Sequence, residues 1–138
     1  MTPEQDEGLA EAFWAVARTL RHRTRDALQP FDVTPSLSRA LGVLARDQPI
    51  RLSTLAEHLR IAARSATELV DDLQERGLVQ RRPDPGDRRA VLVALTADGE
   101  TAAGSIRTVR QAEAQRFFAA LSEEDRTTLT RILRTLAG

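Results

Sequence analysis

The chain has 138 residues, with 20 cationic side chains against 20 carboxylates, 41% hydrophobic residues and 29% charged ones. That is the make-up of one globular domain rather than a disordered segment. Every cation is an arginine, there is no cysteine, and His22 and His58 are the only histidines. Disulfides, thiol nucleophiles, thiolate metal sites and a multi-histidine cage within one chain are thereby excluded. No apolar run approaches the roughly 20 residues of a membrane helix. The opening MTPEQDEG is acidic where a signal peptide is basic, so a cytoplasmic location is expected, with neither metal nor cofactor. A single Trp and no Tyr leave few platforms for stacking single-stranded nucleic acid.

Thr2-Pro3-Glu4-Gln5 predicts a helix start, with Thr2 as N-cap, Pro3 at the first helical position and Gln5 completing a capping box. An apolar stripe of Leu9, Phe13, Val16, Leu20 and Leu28 follows at spacings of three and four, and Pro30 closes this helix. Thr34-Pro35 repeats the signal and opens a helix carrying Leu37, Leu41 and Leu44. After a short extended piece, Ile50-Arg51-Leu52, Ser53 is expected to cap a two-turn helix with Leu55, Ala56 and Leu59 inward. A break at Arg60-Ile61-Ala62 leads into a second helix, about 63–76, with Ala66, Leu69, Val70 and Leu73 as its apolar face. Gly77 stands where a helix C-terminus takes a left-handed residue.

The period then changes. Residues 78–82 and 90–95 are β-rich runs on either side of Pro83-Asp84-Pro85-Gly86-Asp87-Arg88-Arg89, a hairpin with a charged tip. Thr96 caps a long helix to about Ala120, and Ser122-Glu123-Glu124-Asp125 opens a last one striped with Leu129, Ile132, Leu133 and Leu136. Two short helices joined by a tight turn and followed by a hairpin make a winged helix-turn-helix. The expected fold is mainly α with a small β-hairpin wing, an α+β arrangement in a single domain, 1–138. Helices at 1–29 and 97–138 would serve dimerisation. The winged lobe would span 34–96, its helix-turn-helix at about 53–76 and its wing at about 78–95. The long outer helices carry more apolar surface than so small a winged domain can cover, which predicts a two-fold dimer through Leu9, Phe13, Phe117, Leu129, Ile132, Leu133 and Leu136.

On the second helix of the pair the apolar face turns Arg64, Ser65, Thr67, Glu68, Asp71, Asp72 and Glu75 outward. The first turns of such a helix enter the major groove, where Arg takes guanine O6/N7 and Ser or Thr reaches bases or phosphates. Arg64, Ser65 and Thr67 are therefore the candidate contacts. Arg88 and Arg89, on a Pro-Gly turn beside Asp84 and Asp87, are candidates for a narrow minor groove, where the potential is most negative. From 60 to 89 there are seven arginines and six carboxylates, so this face is barely basic and reliance on exact fit is expected over non-specific attraction.

Residues 52–99 carry Leu55-Ala56-Glu57, a helix ending in Glu75-Arg76-Gly77-Leu78-Val79, Asp87-Arg88-Arg89 at the hairpin tip, and Leu95-Thr96 followed by Gly99. In that order these features resemble the MarR family of bacterial transcription regulators, and the flanking helices match its layout. The resemblance implies a homodimer on a pseudo-palindromic double-stranded DNA operator, acting as a repressor. It also implies release by a small aromatic or anionic ligand, for which Trp14, Arg18, His22 and Phe31 are the candidate wall residues; for Phe13 and Trp14 a place in the dimer core is the favoured reading. In the family an aspartate of the recognition helix buttresses the arginine two residues after the wing aspartate. Asp71 and Arg89 hold those positions, which makes Asp71 and Asp87 wing supports. Arg60 stands where the family's turn often has Gly, and Ala62 where it has a Ser or Thr cap.

Two other readings compete. An enzyme would need a nucleophile with its base, a carboxylate pair in a pocket or a phosphate loop, and no such pattern occurs. A winged-helix module for protein contact, with little or no DNA binding, would use the acidic face of Glu68, Asp72 and Glu75 on a basic partner.

Overall fold

The structure, a computed structural model, describes all residues 1–138. In chain order the elements are α1 (Pro3–Leu28), a 3-10 turn (Gln29–Phe31), α2 (Pro35–Asp47), β1 (Ile50–Arg51), α3 (Leu52–Leu59), α4 (Ala63–Glu75), β2 (Val79–Asp84), β3 (Asp87–Leu95), α5 (Ala97–Phe118) and α6 (Glu123–Ala137). The expected winged helix-turn-helix is present. No helix is long and apolar enough to cross a membrane.

Most helix starts follow their capping residues. The Thr2 N–H donates to Gln5 Oε1 at 2.9 Å, and the Gln5 N–H donates back to Thr2 Oγ1 at 3.3 Å. Thr34, Thr96 and Ser122 accept the N–H groups of Leu37, Gly99 and Asp125 at 3.0–3.1 Å. Each satisfies a backbone donor that has no partner within its helix. Ser53 departs from the expectation. Strand β1 runs straight into α3, so the helix begins at Leu52 and the cap position falls on Arg51, which makes no side-chain cap bond.

The sheet is antiparallel in the order β1-β3-β2. Ile50 and Arg51 pair with Val93 and Leu92, while β2 pairs with β3 from Val79↔Leu95 out to Asp84↔Asp87. The strands therefore extend through 83–84 and 87–89, residues expected in the loop, and only Pro85-Gly86 is left to turn; the register shifts between Pro83 and Asp84, so Arg88, Arg89 and Ala90 have no paired partner on β2. Beyond Leu92 the hairpin has no third strand.

The chain divides into two compact units. One comprises Leu28–Thr108 and holds the winged lobe. Its core is aliphatic, with Leu37, Leu41 and Leu44 of α2, Leu55 of α3, Val70 and Leu73 of α4 and Val93 of β3 all at 1% exposure or less. At about 1.5–3 kcal/mol per buried side chain of this size, these seven account for much of the lobe's driving force. The other unit comprises Met1–Ala27 and Val109–Gly138. No apolar side chain in it is buried, and its one buried residue is Glu113. Glu113 Oε1 accepts from Arg23 Nε and its Oε2 from Arg116 Nη2, both at 2.8 Å, and the Arg23 guanidinium lies 5.5 Å above the Phe117 ring. These arginines, Arg116 foremost, hold the carboxyl below its ordinary value against the opposing effect of burial.

Candidate nucleic-acid interface

Helix α4 is positioned by its buried Ala66, Val70 and Leu73, which dock it on α2, α3 and β2. The residues that remain outward begin with Arg64 and Ser65, both exposed in the first turn. Arg64 is 92% exposed and only loosely paired with Glu68, at 3.9 Å, so the guanidinium is free to take another partner. Thr67 is half-buried, and its hydroxyl donates to the Ala63 carbonyl at 3.0 Å, leaving its oxygen lone pairs for an outside donor. Ala62, at the cap position, offers no side-chain acceptor to the first-turn N–H groups.

The turn before α4 places Arg60 at φ 55°, ψ 47°, left-handed geometry that glycine adopts without cost. Gly77 ends α4 at φ 74°. Behind it, Thr96 Oγ1 donates to the Gly77 carbonyl at 2.6 Å and the Thr96 N–H to the Leu78 carbonyl at 3.0 Å. The start of α5 is thereby locked against the root of the wing.

The wing tip is held by its own aspartates. Asp84 Oδ1 accepts the Gly86 N–H and Asp87 Oδ1 accepts the Arg89 N–H, each at 2.9 Å. Asp84 also takes Arg51 Nε on Oδ2 at 2.8 Å. The Gly86 N–H first, then Arg51, draws the Asp84 carboxyl below its ordinary range, so it is ionised at neutral pH. Arg88 and Arg89 are exposed and neither side chain has a hydrogen bond or an ion pair, so both are free at the tip, as is Arg82 on β2.

Asp71 does not buttress Arg89. It accepts from Arg81 Nη2, and Arg81 Nη1 reaches Gln74 Oε1 one turn further along α4. The reason is strand alternation. Val79 is buried on the side of β2 that meets α4, and Arg81, two residues on, lies on the same face, whereas Arg89, further out on β3, lines a small pocket with Ala63 and Thr67 in the first turns of α4. Arg81 was legible from that period of two. Asp72 is likewise engaged, accepting Arg76 Nε at 2.7 Å, while Arg76 Nη1 donates to the Asp32 carbonyl. The outward acids that stay unengaged or loosely engaged are Glu75 and Glu68.

The other candidate positions fall outside this surface. Trp14 is exposed and edge-on to Phe13, with centroids 5.6 Å apart; Arg18 is exposed; His22 Nδ1 lies 2.7 Å from Arg25 Nη2. Phe31 is half-buried in the 3-10 turn. In the unit that holds the chain ends, Leu9 is 62% exposed, Phe13 48%, Ile132 42%, Leu133 37% and Leu136 74%, while Leu129 and Phe117 are half-buried. No group of histidines and carboxylates is arranged to hold a metal ion.

A family model described as the MarR family matches residues 31–90. An HTH-type transcriptional regulator of Mycobacterium leprae is 32% identical over 103 residues, 75% of this chain and 69% of the relative. A MarR family protein from Bacillus stearothermophilus has the same fold, with a TM-score of 0.89 and 26% identity over 99% of this chain and 96% of that one. A mutant MarR from E. coli, solved complexed with operator DNA, superposes with a TM-score of 0.83 over 95% and 94% of the two chains at 24% identity. The curated relatives matched in this way are transcriptional regulators rather than enzymes.

Proposed function

The chain belongs to the MarR family of winged-helix transcriptional regulators, and we propose that it is a homodimeric, sequence-specific binder of double-stranded DNA that acts as a repressor. The observation that carries this reading is the pairing, in one compact unit, of two unpartnered wing-tip arginines, Arg88 and Arg89, with the exposed first turn of α4 bearing Arg64 and Ser65. Arg64, Ser65 and Thr67 would meet base edges and phosphates in the major groove, and Arg88 and Arg89 the adjacent minor groove. Asp87 would support the wing through the Arg89 backbone, and Asp71 through Arg81.

A dimer is supported by the unit holding the chain ends. Its apolar side chains Leu9, Phe13, Ile132, Leu133 and Leu136 are exposed, and it buries none of its own. Exposed apolar side chains of this kind are what a second copy covers, and a two-fold axis would present two winged lobes to half-sites about 10 bp apart. A small aromatic or anionic ligand near Trp14, Arg18, His22 and Phe31 would release the operator by favouring a lobe separation that no longer matches successive major grooves.

The test is fluorescence anisotropy on DNA from upstream of the protein's own gene, beside a scrambled duplex, at two salt concentrations. A preference of about a hundredfold, lost in Arg89→Ala, is the expected result. Equal, weak binding to both, followed by failure to enrich any sequence from a random duplex library, would overturn DNA binding. The acidic Glu68 and Glu75 face would then point to a protein partner.

A further inference from the structure

We propose that Arg51, which lies outside both the recognition helix and the wing, is a positioning residue for DNA recognition, acting with Asp84 as a clamp that sets where the wing tip points. This rests on the DNA-binding reading above.

Arg51 ends β1 and directly precedes Leu52, the first residue of α3. Its Nε donates to Asp84 Oδ2 at 2.8 Å, while the other oxygen of the same carboxylate accepts the Gly86 N–H at 2.9 Å. One side chain thus closes the hairpin turn and ties it to the strand that leads into the helix-turn-helix. The Asp84 side chain is only 13% exposed, against 48% for Arg51, so the carboxylate end of the pair is shielded more than in an ordinary surface bridge. The hairpin needs this restraint. Strand β1 pairs only with Leu92 and Val93, so the outer arms, which carry Arg88 and Arg89, form an isolated two-stranded ribbon, and such a ribbon is marginally ordered in water. The Arg81 link to Asp71 holds the arm nearer the root, and the Arg51–Asp84 pair is the one ion pair that reaches the tip from outside the hairpin. A tip so fixed presents its two free guanidiniums preorganised, and preorganisation is worth affinity for a fitted site more than for an arbitrary one.

The experiment is a double-mutant cycle with Arg51→Gln and Asp84→Asn, in which asparagine keeps the oxygen that accepts the Gly86 N–H. Arg51→Lys serves as the conservative variant. Two quantities are read on the full-length protein: affinity for operator and scrambled duplexes at two salt concentrations, and amide exchange of residues 88–91 without DNA. The clamp predicts that each single variant and the double variant lose about tenfold in operator affinity with little change on the scrambled duplex. It also predicts exchange of the tip amides about tenfold faster, and partial recovery of both in Arg51→Lys. Additive losses would overturn the proposal. So would Arg51→Gln weakening both duplexes alike with Asp84→Asn neutral, which would make Arg51 a phosphate contact, or unchanged tip exchange. If the unmodified protein prefers no duplex, the functional reading itself fails, and the exchange measurement still reports separately whether the clamp orders the tip.

Discussion

A β-carbon on Gly99 would stand 1.9 Å from the carbonyl oxygen of Leu78. Helix α5 therefore starts in contact with the backbone at the root of the wing, where the Leu78 carbonyl also accepts the Thr96 N–H at 3.0 Å. Gly99→Ala forces the two backbones apart and breaks that lock. Although alanine is the better helix former, the expected outcome is a loss of about 3 kcal/mol in urea unfolding, the upper end of ordinary overpacking. Gly104→Ala, on the same helix with nothing within 4 Å of the added carbon, should instead gain up to about 1 kcal/mol. A neutral Gly99→Ala would show that α5 can move away from the wing freely.

The elements were legible wherever a local device dictates them. Thr2, Thr34, Thr96 and Ser122 each cap the helix they precede, and Gly77 takes the left-handed position at the end of α4. The limits of local reading show at Ser53 and Arg89. Ser53 has the chemistry of a cap, but pairing of β1 with β3 fixes where α3 can begin, and that pairing joins residues some forty positions apart. Asp71 bonds Arg81 rather than the Arg89 that the family position implies, because Arg81 follows buried Val79 on the strand packed against α4 while Arg89 faces the first turns of that helix. The Arg51–Asp84 contact spans 33 residues and depends on how far the hairpin bends back, which no periodicity reports.

Arg60 occupies left-handed backbone geometry at φ 55° without the freedom of glycine. That geometry costs a residue bearing a β-carbon about 1–2 kcal/mol, and glycine returns about 0.5–1 kcal/mol of it through its more mobile unfolded chain. Arg60→Gly is therefore expected to raise stability by about 0.5–1 kcal/mol in urea unfolding. A destabilised variant would mean that the Arg60 side chain makes a contribution larger than its backbone strain.

Glu113 makes stability depend on acid. Its carboxyl, bonded by Arg116 and Arg23, protonates in the folded chain at a pH below the ordinary glutamate value of 4.5. Folding thus favours the ionised form, so the stabilisation is complete above that value and is lost as pH falls through the folded-state value. The stability difference between the unmodified protein and Glu113→Gln should be constant from pH 6 to 8 and narrow below about pH 4.5. A difference that persisted undiminished to pH 3 would mean that the ionised carboxylate is not what holds Arg23 and Arg116.

The two acids that face outward from the middle of α4 should behave oppositely. Glu68 is 72% exposed and lies 3.9 Å from Arg64, so beside DNA it repels phosphate and competes for a contact residue. Asp72 instead holds Arg76, whose guanidinium also reaches the Asp32 carbonyl, so it braces the end of α4 against the chain before α2. Glu68→Ala is expected to tighten operator binding by up to about tenfold, near 1.4 kcal/mol, with stability unchanged. Asp72→Ala should lower stability by about 1 kcal/mol, because it frees Arg76 from a bridge that a carbonyl bond reinforces. If Glu68→Ala weakened DNA binding instead, its carboxylate would have to be orienting Arg64 toward a base, and the exposed 3.9 Å pair would be a functional contact.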